Sequence, residues 1–322
     1  MRVWDGTRAV KLLLKCLATA LMLFVVFRAV DVAAVSNLLS RLGASWVAAA
    51  FAMTALIIVS DAILLERMMR FFGRRMPFRT ALMYSFVGWF FSNVSPSTVG
   101  GDVFRGVQLS RVGMSPGGAA RLVLAIRVLS FTTLVAVMLM GFPIALENLS
   151  ARKDVFVLGS VLLAGVGAIA VLFFFAHVAA HIPDIERWPF LRKLDRVAGD
   201  FRALLIPRRA VASVWLAALL QHFLRVASLA CLAAGLGLGI PFIILFSVTP
   251  AALLMAMLPI SLGGWGIREL TFVYFLGAAG VGAEAALSLS IAFGLLRAVV
   301  GAMGGLTWVA MNDDHFRVDA ST

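Results

Sequence analysis

The sequence predicts an all-α polytopic membrane protein with six full spans, two re-entrant helical hairpins and an inverted internal repeat. Composition is the first observation, because 62% of the 322 residues are hydrophobic and only 14% are charged, whereas soluble domains are about half apolar and about a quarter charged. The second is a series of apolar segments of bilayer length. The third is a pair of similarly spaced proline and glycine breaks in two further apolar stretches. An ordinary soluble enzyme or binding module is therefore excluded.

The apolar segments give six predicted spans, each with about the 20 residues that a transmembrane helix needs. In chain order they lie at 12–30, 44–65, 118–142, 155–178, 211–235 and 284–310. The first span follows four basic residues within the first fifteen positions, a pattern also found in secretory signal peptides. We favour a structural helix, because the internal repeat described below includes this segment.

Arginine and lysine collect in the loops predicted at 66–79 and 179–210, which hold five and seven basic residues. By contrast, the loops at 31–43, 143–154 and 236–240 hold at most two. Because short cytoplasmic loops carry the excess of basic residues, the first group is predicted inside and the second outside. The same loops explain the net charge of +12, which would suggest a nucleic-acid partner only in a soluble protein. No nucleic-acid partner is expected.

This orientation predicts that the stretches 80–117 and 241–281 are re-entrant. The first lies between two cytoplasmic segments, so it must enter and leave on the cytoplasmic side. The second must return to the outside, so that the last span can exit inward. Both termini are then cytoplasmic, and the predicted location is the cell (plasma or inner) membrane, with several passes.

The breaks in these two stretches share one pattern, P-x3-G-G-x3-R. It occurs once as Pro96, Gly100, Gly101 and Arg105, and again 163 residues later as Pro259, Gly263, Gly264 and Arg268. The same offset maps the span at 44–65 onto 211–235 and the span at 118–142 onto 284–310. A single membrane domain of two repeats follows, 1–150 and 151–322, with the re-entrant stretches at 80–117 and 241–281. An odd number of spans in each unit inverts the second copy, as in secondary transporters.

Two interpretations of the broken helices are open. Backbone groups freed by Pro and Gly-Gly cannot be satisfied by lipid, so they must face protein, water or a ligand. Helix ends there would offer N–H groups and a positive dipole end to an anion. The alternative is that the small residues only allow helices to pack closely.

Charged residues inside the predicted spans point toward a polar interior. Asp61, Arg127, Arg225 and Arg297 lie within spans, and an arginine at the bilayer centre costs about 3 kcal/mol on insertion scales. Basic residues outnumber the acids, which favours an anionic ligand. The alternative is structural pairing, for example of Asp61 with one of the arginines.

These arguments give one set of candidate site residues. The candidates for substrate binding are Asn93, Pro96, Gly100, Gly101, Asp102, Arg105, Arg127, Arg225, Pro259, Gly263, Gly264, Arg268, Glu269 and Arg297. Glu269 and Asp61 are the candidates for proton coupling. Adjacent helical residues do not face each other, so the Glu269 carboxylate is expected to point away from Arg268 and into the cavity.

The two motifs together carry a resemblance to a known family. The first reads Asn93-x2-Pro96-x3-Gly100-Gly101-Asp102-x2-Arg105 and the second Pro259-x3-Gly263-Gly264-x-Gly266-x-Arg268-Glu269. Over about 10–310 the chain resembles the lysylphosphatidylglycerol synthase transmembrane-region family, also called the flippase-like domain family. In the full-length synthases this region is held to move an aminoacylated phospholipid between leaflets, and a separate soluble domain attaches the amino acid. The chain ends at Thr322, so the resemblance implies lipid translocation without synthase activity.

The expected function is therefore that of a lipid flippase or transporter, not an enzyme, with a lipid of anionic or zwitterionic headgroup as partner. One alternative is an accessory protein that presents a lipid to a biosynthetic enzyme, and another is a small-anion secondary transporter. No cofactor is expected. The pair His177-x3-His181 has the spacing of two helical metal ligands, but no third ligand accompanies it in the sequence, so no metal is expected either.

Overall fold

The computed structural model describes residues 31–95, 99–149, 151–179, 189–205, 209–258, 260–261 and 263–310, together with single residues between 13 and 28. Within these ranges the chain forms eleven helices and no strand. They are α1 Val32–Ser40, α2 Ala44–Phe71, α3 Phe78–Val94, α4 Gly100–Arg111, α5 Pro116–Asn148, α6 Arg152–Ala179, α7 Pro189–Leu205, α8 Arg209–Gly235, α9 Phe242–Ala256, α10 Ile267–Ala278 and α11 Ala283–Ala310. The prediction of an all-helical protein is confirmed.

Five of the helices, α2, α5, α6, α8 and α11, are long and apolar enough to cross a membrane. They coincide with the last five predicted spans. The first predicted span, 12–30, lies outside the described residues apart from single positions. The chain is therefore a multi-pass helical membrane protein.

Local sequence signals set several helix ends. The Asp31 carboxylate accepts hydrogen bonds from the backbone N–H groups of Ala33 (2.8 Å) and Ala34 (3.3 Å) and so begins α1. Ser115 accepts from the N–H of Gly118 at 3.1 Å and begins α5. Gly73 follows α2 in the left-handed region, at a φ of 71°, which a side chain would disfavour.

The two broken stretches form two pairs of short helices, α3 with α4 and α9 with α10, and the members of each pair pack against each other. Their glycine pairs differ in backbone conformation. Gly100 and Gly101 lie in the first turn of α4, whereas Gly263 and Gly264 have positive φ of 58° and 84° and lie in the turn before α10. The equal spacing in sequence therefore does not produce equal local structure.

The contacts between helices repeat when the two halves are exchanged. α2 packs against α8, its counterpart at the 163-residue offset. α3 of the first half packs against α11 of the second, and α9 of the second packs against α5 of the first. One helix of each short pair, α3 or α9, thus packs against a long helix of the other half.

Glycines allow the closest of these crossings. A Cβ on Gly304 of α11 would meet the backbone carbonyl of Phe86 on α3, and a Cβ on Gly141 of α5 would lie 2.9 Å from the Cα of Ser247 on α9. Gly141 and Gly304 are 163 residues apart. Small residues at equivalent places let both pairs of helices approach closely, as is common in membranes.

Two predicted loops contain helices. The loop at 31–43 holds α1, and the loop at 179–210 holds α7. Phe201 and Leu204 of α7 are buried against the bundle. The Asp200 carboxylate accepts from the Arg121 guanidinium of α5 at 2.9 and 2.5 Å. An apolar face and this ion pair explain why α7 is ordered along the bundle.

The buried apolar residues form two main clusters. One lies among α2, α3, α4, α5, α7 and α8, and the other mainly among α5, α6, α8, α9, α10 and α11. On α5, Leu129 belongs to the first cluster and Leu134 to the second; on α8, Ala218 belongs to the first and Val226 to the second. Between these positions lie Ser130 on α5 and Gln221, His222 and Arg225 on α8, which line the site described next.

Candidate functional site

A cavity of about 230 Å³ lies between the two apolar clusters. Its wall is formed by the turn before α10 and by seven helices, α2, α3, α4, α5, α8, α9 and α11. Its polar lining consists of Asp61, Trp89, Ser92, Asn93, Asp102, Arg105, Arg127, Ser130, Gln221, His222, Arg225 and Arg297. Arg225 and Arg297 lie near the middle of α8 and α11, helices long enough to span the membrane.

The two cavity carboxylates are each paired with an arginine. Asp61 of α2 accepts a hydrogen bond from Arg105 of α4, and both side chains are about nine-tenths buried. Asp102 accepts from the Nε of Arg127 on α5 and lies 3.9 Å from Arg105. The two ion pairs join α4 to α2 on one side and to α5 on the other, which stabilises the position of α4 at the cavity.

The hydrogen-bond partners of Arg225 among the residues that the structure describes are neutral. Its guanidinium lies 3.1 Å from Nδ1 of His222 and 3.4 Å from the side-chain oxygen of Gln221. Since the guanidinium can only donate, His222 Nδ1 must be the acceptor and the ring proton lies on Nε2. That Nε2 donates toward Thr133 (3.0 Å) and the carbonyl of Ser130 (3.2 Å) on α5.

Arg297 contacts aromatic rings. Its guanidinium carbon lies 5.7 Å from the ring centre of Trp89 and 5.9 Å from that of Phe293, within the range of a cation–π interaction. Within the described ranges it has no ion pair with a carboxylate. Asn93 reaches the backbone carbonyl of Arg297 at 3.4 Å and thereby joins α3 to α11 at this point.

The expectation that the Glu269 carboxylate points away from Arg268 and into the cavity is wrong. Glu269 is fully buried and accepts from both Nε and a terminal nitrogen of Arg268. It also accepts from the backbone N–H of Gly266 at 2.7 Å and from the hydroxyl of Ser290 at 3.1 Å. Adjacent residues can meet here because Glu269 folds back to cap α10, and Arg268 is at the first turn, beside Trp265.

The structure brings some of the predicted site residues together and leaves others outside the cavity. Those that line it are Asp61, Asn93, Asp102, Arg105, Arg127, Arg225, Gly263 and Arg297. Those outside its lining are Gly100, Gly101, Gly264, Arg268 and Glu269. Pro96 and Pro259 lie outside the described residues. Both motifs therefore reach one cavity, the first with charged side chains and the second with a glycine.

The second glycine of each motif has a packing role. A Cβ on Gly101 would meet the Ser92 hydroxyl and the Gly88 carbonyl of α3, and one on Gly264 would lie 3.0 Å from the Cβ of Ala256 on α9. Gly101 lies where α4 packs on α3, and Gly264 lies in the turn before α10, against the end of α9. Close helix packing thus accounts for these two glycines. The ligand-binding interpretation rests on the charged residues of the cavity.

The polar lining residues missing from the predicted set are Trp89, Ser92, Ser130, Gln221 and His222. Gln221, His222 and Arg225 form a polar run inside an apolar span, and that run is a usable signal. Trp89 and the serines have no such signal, because these residue types are common in membrane helices.

An apolar groove of about 670 Å³ lies beside the cavity, between α4 and α5. Val99, Val103 and Val107 form one wall at helical spacing, and Val123 and Leu124 form the other. Val103 is 60% exposed and Val107 is 47% exposed. Asp102 lines both spaces, so the charged cavity and the apolar groove adjoin at that residue.

The site thus offers arginine donors beside an apolar groove. Guanidinium groups match the geometry of phosphate and carboxylate oxygens. Among the described residues, no group of three His, Cys, Asp or Glu side chains is placed to hold a metal ion.

Comparison with known proteins identifies a family. The family model described as "Lysylphosphatidylglycerol synthase TM region" matches residues 12–305. No curated protein matches the chain. The matched range agrees with the region over which the two motifs resemble that family.

Proposed function

The chain belongs to the lysylphosphatidylglycerol synthase TM region family, and from that premise we propose that it is a membrane lipid flippase. It moves a phospholipid or a lipid-linked headgroup between leaflets, and it carries out no chemical conversion of its cargo.

The junction of the charged cavity with the apolar groove at Asp102 is the observation that carries this proposal. An amphiphile has one charged end and one apolar end, and the two adjoining spaces match those two ends. A small soluble anion would need the cavity alone. The exposed Val103 and Val107 would contact an acyl chain, while the arginines of the cavity would contact the headgroup.

We further propose that α3 with α4, and α9 with α10, are re-entrant hairpins of an inverted repeat. The exchanged contacts of the two halves and the equivalent glycines Gly141 and Gly304 support this arrangement. In transporters built this way, one half moves against the other and exposes a central site to each side in turn. The cavity between the two apolar clusters is then the site that alternates.

The sequence has no Walker A or G-x-G-x-x-G segment, which supports movement that is passive or coupled to an ion. Asp61 and Asp102 are the carboxylates of the cavity. Asp61 is the candidate for proton coupling that lies at the cavity, and protonation there would release Arg105 from its partner on α2.

Reconstitution of the purified chain into vesicles tests the proposal. A fluorescent phosphatidylglycerol in one leaflet should become accessible in the other faster than in empty vesicles. The variants Arg225→Gln and Arg297→Gln should slow this movement by about tenfold or more. Arg152→Gln, at an exposed position at the start of α6, is the matched control and should leave the rate unchanged.

Other results would point to the alternatives. Lipid binding without movement would contradict the flippase and favour an accessory protein that presents a lipid. Uptake of a soluble anion without lipid movement would favour a small-anion transporter.

A further inference from the structure

We infer that the cavity selects headgroups with net negative charge and no ammonium group, so that aminoacylated and zwitterionic lipids are poor cargo. This inference rests on the proposed lipid-binding function and names the substrate class within it. It departs from the aminoacylated lipid that the name of the family suggests.

The first step is the balance of charge. The lining holds four guanidinium groups and two carboxylates, so two positive charges are in excess among the described residues. Both carboxylates form salt bridges, Asp61 with Arg105 and Asp102 with Arg127. The excess is therefore located on Arg225 and Arg297, which form no salt bridge with a carboxylate in the ranges described.

The second step is the environment of these two cations. Arg225 and Arg297 are half-buried in the middle of long apolar helices, where a cation without a counter-charge is costly. Their contacts in this structure, a histidine nitrogen, an amide oxygen and aromatic rings, are neutral. A phosphate placed between them would supply the missing negative charge and accept from both.

The third step is the nature of the remaining hydrogen-bonding groups. Gln221 lines the cavity and is only 4% exposed, and its side-chain nitrogen has no hydrogen-bond partner in the described part of the chain. Its oxygen faces Arg225, so the group left for a ligand is a donor. This part of the cavity therefore offers the Gln221 amide as a donor beside the two guanidinium groups.

The fourth step concerns an ammonium group. It needs acceptors and benefits from a carboxylate, but the Asp61 and Asp102 carboxylates are already engaged. It would also lie near the two unpaired arginines and be repelled by them. The two arginines therefore strengthen the binding of an anionic headgroup and weaken the binding of a headgroup that carries an ammonium group.

Binding to the full-length chain in lipid nanodiscs or detergent tests the inference. The probes are phosphatidylglycerol, phosphatidylethanolamine and lysyl-phosphatidylglycerol with matched acyl chains, and soluble glycerol phosphate. We expect phosphatidylglycerol to bind at least about tenfold more tightly than either amine-bearing lipid. Glycerol phosphate should compete only at much higher concentration, and equal competition by it would contradict a lipid cargo and assign the site to free phosphate.

Variants at the subsite sharpen the test. Gln221→Glu keeps the shape of the side chain and places a carboxylate beside Arg225, so the preference for the anionic lipid should fall by about tenfold or more. Arg225→Gln should reduce the same preference without adding a charge, and it serves if Gln221→Glu does not fold. The control Arg152→Gln should keep the preference of the unaltered chain.

The outcomes separate the inference from the function on which it rests. Equal binding and equal movement of all three lipids would overturn the charge selection and leave the flippase intact. Selective binding of phosphatidylglycerol without movement would support the selection and contradict the flippase. Preferred binding of lysyl-phosphatidylglycerol would overturn the inference directly.

Discussion

Arg105 and Arg268 occupy the same place in the two motifs, yet their surroundings differ. Arg105 contacts Asp61 on another helix and lines the cavity. Arg268 contacts Glu269, the next residue along its own helix, and lies outside the cavity lining. The first arginine links separate helices beside the cavity. The second stabilises the beginning of α10 and donates to Ser290 of α11 at 3.2 Å, away from the cavity lining.

A double-mutant cycle should reveal the link between Asp61 and Arg105. Asp61→Asn and Arg105→Gln should each lower the free energy of unfolding, because each leaves the other member buried without its counter-charge. The double variant should recover part of the loss, with a coupling energy of about 1–3 kcal/mol. Unfolding in mixed detergent micelles measures all four proteins, and strictly additive losses would contradict a direct pair.

Glu269→Gln should destabilise the protein by about 3 kcal/mol, because it removes the charge that faces buried Arg268. Thermal or denaturant unfolding measures the change. Glu147→Gln is the matched control on an exposed position near the end of α5, and it should alter stability by less than about 0.5 kcal/mol. A Glu269→Gln protein as stable as the control would contradict the capping role.

The sequence indicates which residues carry buried charge but not how they pair. Arg225 and Arg297 were predicted as site residues because placing an arginine inside an apolar span costs free energy, which indicates a functional role. The contact between Glu269 and Ser290 was not, because the two residues lie on different helices. Pairing of this kind depends on tertiary packing, which a single sequence shows only through its repeats.

At the scale of helices, length and hydropathy are sufficient to predict the membrane spans but not the shorter helices. α2, α5, α6, α8 and α11 each contain an apolar run of bilayer length, so they could be predicted. α7 mixes charged and apolar residues and has only 17 residues, so it was taken for a loop. Its burial depends on Phe201 and Leu204 finding a partner surface, which is a tertiary effect.

The glycine crossings lead to a prediction about helix packing. Gly304→Ala and Gly141→Ala should each lower the free energy of unfolding by about 1–3 kcal/mol, because a Cβ at either place would collide with the backbone of a neighbouring helix. Gly167→Ala on α6 is the matched control, since nothing lies within 4 Å of its added Cβ.

At the control position, alanine favours the helix by about 0.5–1 kcal/mol, so stability should stay equal or rise. The measurement is unfolding in detergent micelles for all three variants. If Gly304→Ala behaved like Gly167→Ala, the close approach of α11 and α3 would not limit stability.

At the scale of the whole molecule, membrane orientation is the property to test. In a background with both cysteines replaced by serine, Arg75→Cys should react with a membrane-impermeant maleimide from the cytoplasmic side only. Arg152→Cys should react from the outside only. Both positions are exposed, and labelling of both from one side would contradict the re-entrant arrangement of α3 and α4.

The 163-residue offset predicts which segments would correspond in an internal repeat, but it does not predict which helices pack together. Correspondence follows from matching residues such as Arg105 and Arg268. The packing of helices depends on surface shape. Gly141 allows α9 to approach α5 closely, and Gly304 allows α3 to approach α11 closely. No pattern within one half specifies which half that surface will contact.

The crossing of α3 with α11 has a consequence for biosynthesis. α3 is among the earliest helices to leave the ribosome, and its glycine-lined partner α11 is the last described helix to do so. During synthesis the surface of α3 that faces α11 therefore stays covered by lipid or by the insertion machinery until α11 has been made. Final closure of the first half is thereby timed by the arrival of the second, and a nascent chain stalled before residue 283 would hold its early helices in an unfinished assembly open to quality-control proteases.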